Sequence, residues 1–333
     1  SANLLLLLLE RAREAGPGSP EACLGFCQLA SALTGHLLGR LFDEEEAALW
    51  HAQTECLRGN AERVRGDFEA ARAAFGRAAA WLALTPGRTL EGAELCRGRG
   101  LLLWEQGRLD EAEGLLRQSS RILAEAGPPD EEGAARVLLG LLAAERGDRG
   151  RAARLLEAGR AALDPERWPW LALHARLGLA LEYARRGQAQ RAEALLDPQP
   201  VEEEGPDTGL LRAWLEGQVR LRIGQPAEGE KRLREAWCGF LARDDGPRAA
   251  LCALDLAAAL VRQGRGGEVG TLVDALREGC RGDPALEAFC AGPRNAMTAG
   301  ELDRLTQEEG LTEAVARARR VLRSRGYGVL LAV

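Results

Sequence analysis

From Gly100 to Leu116 the chain reads GLLLWEQGRLDEAEGLL, and forty residues on, from Gly140 to Leu156, it reads GLLAAERGDRGRAARLL. The two stretches share one skeleton. A small residue is followed seven positions later by glycine (Gly107, Gly147), five further by alanine (Ala112, Ala152), and four further by leucine (Leu116, Leu156). Working outward, the central glycine recurs as Gly66, Gly107, Gly147, Gly187, Gly224 and Gly264, at intervals of 41, 40, 40, 37 and 40 residues. The residue seven before is always small: Gly59, Gly100, Gly140, Ala180, Gly217 and Ala257. Nine after stands Phe75, Leu116, Leu156, Leu196, Leu233 or Val273. A fixed period of roughly 20–50 residues marks a repeat architecture.

Each offset has a geometric reason. Glycine takes the left-handed conformation that ends a helix without steric cost, so the recurring glycine closes one helix and opens the turn to the next. The small residue seven before lets a second helix approach. The alanine after the turn does the same from the other side, and the apolar residue four beyond it lies one helical turn along the same face. The pattern predicts a helical hairpin written six times.

This spacing resembles the tetratricopeptide repeat (TPR) family, on Gly100, Gly107, Ala112, Leu116 and on Gly140, Gly147, Ala152, Leu156, over about residues 44 to 290. The period near 40 exceeds the family's usual length of about 34, and its aromatic positions are mostly aliphatic here, Phe75 and Tyr183 excepted. The resemblance, of the bacterial TPR-regulator kind, implies an all-α, right-handed α-solenoid of antiparallel helix pairs. It would hold about six repeats in residues 44–290, with capping helices in 1–43 and capping helices and a tail in 291–333.

Composition agrees. Ala, Leu, Arg, Glu and Gly dominate the 333 residues, β-branched residues are scarce, and no strand-like alternation stands out. The net charge of −6 argues against a dedicated nucleic-acid surface. Eight scattered cysteines without a CxxC pair read as reduced thiols of a cytoplasmic protein. The Leu4–Leu9 run has no basic segment before it and no cleavage site after it, and so reads as a buried helix. No run reaches the length of a membrane span. The start at Ser1 fits a piece of a longer protein. The shortened 37-residue interval predicts a truncated second helix, followed by a mobile acidic loop, Asp197–Gly209, holding Glu202–Glu204. In the last segment Thr298 and Glu301 spell a capping box, and Leu311–Arg325 reads as an amphipathic helix.

Catalytic motifs are missing from the sequence. The three histidines, His36, His51 and His174, have no metal-ligand spacing, and there is no phosphate loop or nucleophile elbow. No cofactor and no metal is expected, and the chain does not read as an enzyme. The resemblance implies instead that first helices line a concave face through positions 13, 10, 6, 3 and 2 before each turn glycine. These are Arg97, Leu101, Trp104 and Glu105; Val137, Leu141 and Glu145; His174, Leu177, Leu181 and Arg185; Trp214, Gln218, Leu221 and Arg222; then Arg262. Such a groove has Trp104 and Trp214 as anchors, glutamates at the edge of early repeats and arginines in later ones, and suits a peptide or partner protein of fixed polarity. The competing reading packs these residues against one another and leaves no groove. The family's carboxylate clamp of Lys and Asn is not expected: Asn60 and Arg97 stand at such positions, but the lysines are absent. Two functions follow, an interaction scaffold or a peptide- or ligand-sensing module of a larger bacterial regulator. A thiol hydrolase is the distant third.

Overall fold

A computed structural model describes residues 2–15, 19–37, 41–85, 90–196, 206–243 and 245–272. Its elements are helices: α1 (Ala2–Ala15), α2 (Pro20–Leu37), α3 (Glu44–Val64), α4 (Phe68–Leu82), α5 (Leu90–Glu105), α6 (Leu109–Ala126), α7 (Pro129–Glu145), α8 (Arg149–Ala162), α9 (Pro169–Arg185), α10 (Ala189–Glu193), α11 (Pro206–Arg222), α12 (Pro226–Leu241) and α13 (Gly246–Arg262), then a 3-10 turn, Gly266–Glu268. The fold is all-α and TPR-like, built from hairpins such as α3–α4, α5–α6 and α11–α12.

The six repeat glycines have φ of +82°, +76°, +81°, +73°, +86° and +73° in chain order. Behind each, the next residue's N–H reaches back five residues to a helical carbonyl: Asp67 to Glu62, Arg108 to Leu103, Asp148 to Ala143, Gln188 to Tyr183, Gln225 to Arg220 and Arg265 to Leu260, at 2.8–3.0 Å. This is a Schellman closure, satisfying carbonyls that the helix end leaves unpaired. The same residue precedes the following helix in each turn, and in two of them its side chain caps that helix. The side chains of Asp67 and Asp148 accept from the N–H of Ala70 and Arg151 at 2.9 and 3.2 Å, as N-caps do.

The small–large pairs meet as the spacing requires. A Cβ on Gly59 would lie 2.6 Å from the Phe75 ring, one on Gly100 3.0 Å from Leu116 Cγ, one on Gly140 2.8 Å from Leu156 Cγ, and one on Gly217 2.9 Å from Leu233 Cγ. The large side chain of the second helix therefore fills the notch in the first.

The chain divides into two compact units, residues 1–139 and 140–333, with the division inside α7. In the first, Leu5, Leu9 and Ala12 of α1 pack with Cys23, Cys27 and Ala30 of α2 and Leu57 and Ala61 of α3. The leucine run is helical, but Leu4, Leu6 and Leu7 are exposed, because one helix face cannot hold six consecutive residues. In the second unit Trp214, Leu233, Phe240, Leu256 and Leu260 lie in one core. There the truncated second helix is α10, five residues long. Pro206–Gly209, expected in the acidic loop, open α11 instead. The rest of that loop, and the capping box and helix expected in 291–333, lie outside the described residues. No helix among the described residues is long and apolar enough to cross a membrane.

Candidate functional site

The positions read as lining a groove fall into two groups. Trp104, Val137, Leu141, Leu177 and Leu181 are buried, and so is Trp214. Leu141 packs into the space beside Gly178 of α9, 3.2 Å from where a Cβ would sit. Leu221, half-buried, faces its own hairpin, with Cγ 2.8 Å from the Cβ position of Gly229. The expectation of two tryptophan anchors is corrected in its geometry. Trp104 is 0% exposed, and Trp214 lies edge-on to Phe240 while its indole N–H donates to Asp255 Oδ2 at 2.8 Å. Both are interior side chains and offer a partner no surface.

His174, expected as a polar residue facing the groove, is likewise interior. Its Nδ1 donates to the Trp170 carbonyl at 2.9 Å and its ring lies against the Trp170 ring, centroids 4.1 Å apart. Burial penalises the imidazolium and lowers the pKa to about 4, so the ring is neutral near pH 7.

The polar members make specific contacts. In the first unit Arg97 Nη1 is 3.6 Å from Glu131, and Leu101 is half-buried. The Asn60 side-chain oxygen accepts from Arg63 Nε and Nη2 at 3.1 and 2.8 Å, and Arg63 Nη1 donates to Glu105. Asn60 thus serves Arg63 rather than a ligand carboxylate. Glu105 keeps one oxygen, Oε2, buried without a partner among the described residues. Its burial outweighs the charge and hydrogen bond of Arg63 and pushes its pKa up to about 7.

In the second unit Arg185 Nη1 donates to the fully buried Glu182 at 2.5 Å. Arg222 is exposed and its Nη1 donates to the Gln218 carbonyl at 3.1 Å. Gln218 stands apart. It is 1% exposed, and neither its amide nitrogen nor its amide oxygen has a partner among the described residues. A buried amide carrying both a donor and an acceptor with nothing to bond is costly and rare.

Sequence reasoning placed Gln218 on the first-helix face expected to meet a partner and did not single out Arg63 or Glu182. The signal was available: Arg63 stands three before Gly66, a groove register, and Glu182 interrupts an apolar run, Leu179–Ala184. Among the described cysteines, Cys56 and Cys252 have thiols pushed up by burial, the opposite of an activated nucleophile. Among the described residues no group of three His, Cys, Asp or Glu is placed to hold a metal.

No model of a known protein family matches the chain, and no curated protein matches its sequence. Solved structures do match in fold. A Rap protein complexed with competence and sporulation factor superposes with a TM-score of 0.66 at 9% identity, covering 99% of this chain and 96% of that one. NprR in complex with its cognate peptide NprX gives 0.59 at 13% identity, covering 95% and 93%. The apo form of the quorum sensor NprR from B. thuringiensis gives 0.60 at 12% identity, covering 97% and 95%. At such identities the likeness is one of fold.

Proposed function

We propose that this chain is a cytoplasmic peptide-sensing regulator, taking a short extended peptide against the first helices of its second unit. One observation carries the reading: Gln218, on the face expected to meet a ligand, buries an unpartnered amide that is 1% exposed in the free chain and that a peptide would reach where the side chains over it part. A peptide unit is the complementary group, since its N–H and C=O supply the missing acceptor and donor together. The fold supports the reading, because NprR, a protein of the same fold, was solved with its cognate peptide bound. In this reading residues 44–290 form the repeat array, capped by 1–43 and 291–333, and peptide binding alters how the chain meets a partner protein.

The test passes the small-peptide fraction of the source bacterium's culture medium over immobilised full-length chain, with mass spectrometry of what is retained. Wild type should enrich one or a few peptides, and Gln218→Ala should lose them while keeping the wild-type helical spectrum. Absence of any enriched peptide, or equal enrichment on Gln218→Ala, would overturn the proposal.

A further inference from the structure

We propose that Cys23 and Cys27 form a two-thiolate site for a soft monovalent cation of the Cu⁺ class, enclosed by α1, α2 and α3. The two residues lie one turn apart on α2 and therefore share a face. Both are buried, in a core with Leu5, Leu9 and Ala12 of α1 and Leu57 and Ala61 of α3. Their thiols are hydrogen-bonded to each other, and Cys23 Sγ also donates to the Leu57 carbonyl at 3.9 Å.

Spacing decides which bond the pair can make. Cβ atoms four residues apart on a helix are about 5–6 Å apart, whereas a disulfide needs about 3.5–4.5 Å. A direct S–S bond would therefore distort α2. A cation between the sulfurs spans the gap, since two metal–thiolate bonds of about 2.3 Å reach about 4.6 Å. The thiols, already in hydrogen-bonding reach, need only part slightly. Zn²⁺ takes four ligands, and among the described residues no third His, Cys, Asp or Glu joins the pair. Soft thiolates select Cu⁺, which two sulfurs suffice to hold in linear geometry.

Charge agrees. Binding exchanges two thiol protons for one cation: two S–H bonds break, two S–Cu bonds form and no electron is transferred. The bound pair then carries one negative charge. Arg58 acts on Cys27 in favour of that charge and Glu55 against it. Glu55 is shared, however. Arg58 Nη1 donates to one of its oxygens at 3.0 Å and Arg77 Nη2 to the other at 2.8 Å. Two guanidinium groups against one carboxylate leave a single positive charge on that side of the pair. The ion enters where α1 lifts from α2, a local opening that costs less than unfolding the chain.

The experiment gives Cu⁺ to reduced full-length protein without oxygen, in competition with bathocuproine. Wild type is compared with Cys23→Ala, Cys27→Ala and Cys238→Ala, the last removing an exposed thiol. Wild type and Cys238→Ala should each hold one equivalent. The other two should bind at least roughly a hundredfold more weakly, because one thiolate no longer closes a chelate. X-ray absorption at the copper edge of wild type should count two sulfur neighbours. Equal affinity in Cys27→Ala, loss of copper in Cys238→Ala, or no copper held by wild type would each sink the site. Should an alanine variant lose its helical spectrum, the sulfur count decides alone: two supports the site, and any other number removes it.

Discussion

Leu156 Cγ lies 2.8 Å from the point where Gly140 would carry a Cβ, and Leu156 N lies 3.0 Å from it. The second contact is backbone, so it cannot swing away. Ala at position 140 would gain helix propensity of about 1 kcal/mol over Gly. It would lose more by forcing α7 and α8 apart, typically about 1–3 kcal/mol for overpacking. Gly140→Ala is expected to lower the urea midpoint. Leu156→Ala alone should cost about 2–5 kcal/mol, Leu156 being fully buried. The double variant should fall short of the sum of the two, because the new methyl enters space that Leu156 has vacated. An additive pair would show that the two residues do not share the notch.

The turn glycines and the helix glycines separate cleanly in the same assay. Gly147 has φ of +81°, where L side chains are strained, so Gly147→Ala should cost about 1 kcal/mol although nothing lies within 4 Å of its Cβ position. Gly114, inside α6 and exposed, also has open space around it. Gly114→Ala should stabilise by up to about 1 kcal/mol. Equal shifts at the two sites would contradict the backbone assignment.

These glycines explain how much of the molecule was legible beforehand. Conformational demand and close approach act locally and leave a residue signature, so six turns and four small–large contacts could be placed from spacing. Of the proposed site only a candidate face was legible. The spacing put Gln218 and Arg222 on that face, but did not show the inward turn of Trp214, which follows from a partner 41 residues away. Nor could it show that Asn60 is occupied by Arg63, or that Glu182 holds Arg185. Which rotamer a side chain adopts depends on neighbours that the repeat pattern does not name.

Trp214 therefore becomes a test of stability. Trp214→Ala should cost about 3–5 kcal/mol. Trp214→Phe, which keeps most of the ring and drops the N–H, should cost less. Loss of peptide binding without loss of stability in Trp214→Ala would place the indole at the surface instead of in the core.

Gln218 should behave in the opposite way. Gln218→Met keeps the length and removes a buried amide that has no partner. It should raise stability by about 1–3 kcal/mol, the usual penalty of an unsatisfied buried polar group. The same variant should lose peptide affinity. A destabilised Gln218→Met would mean that the amide is satisfied in the folded chain, and the peptide reading would lose its main support.

Two buried groups give the pH dependence opposite signs. Glu105 has a folded pKa of about 7, above the roughly 4.3 of an unfolded glutamate. The native state binds its proton more tightly, so the contribution of Glu105 to stability is full below about pH 4.3 and is lost as pH rises towards 7. His174 has a folded pKa of about 4, below the roughly 6.5 of an unfolded histidine. Here the unfolded state binds the proton more tightly, and stability is full above about pH 6.5 and is lost as pH falls towards 4. Between about pH 4.3 and 6.5 the two slopes oppose each other, each at most about 1.4 kcal/mol per pH unit. The variants expose what wild type conceals. Against wild type, Glu105→Gln should gain stability steadily from pH 4.5 to 7 and change little above. His174→Gln should gain most below pH 6 and converge with wild type near neutrality, apart from a constant offset. Parallel curves for Glu105→Gln and wild type across this range would mean that Glu105 is ionised in the fold, with Arg63 outweighing the burial.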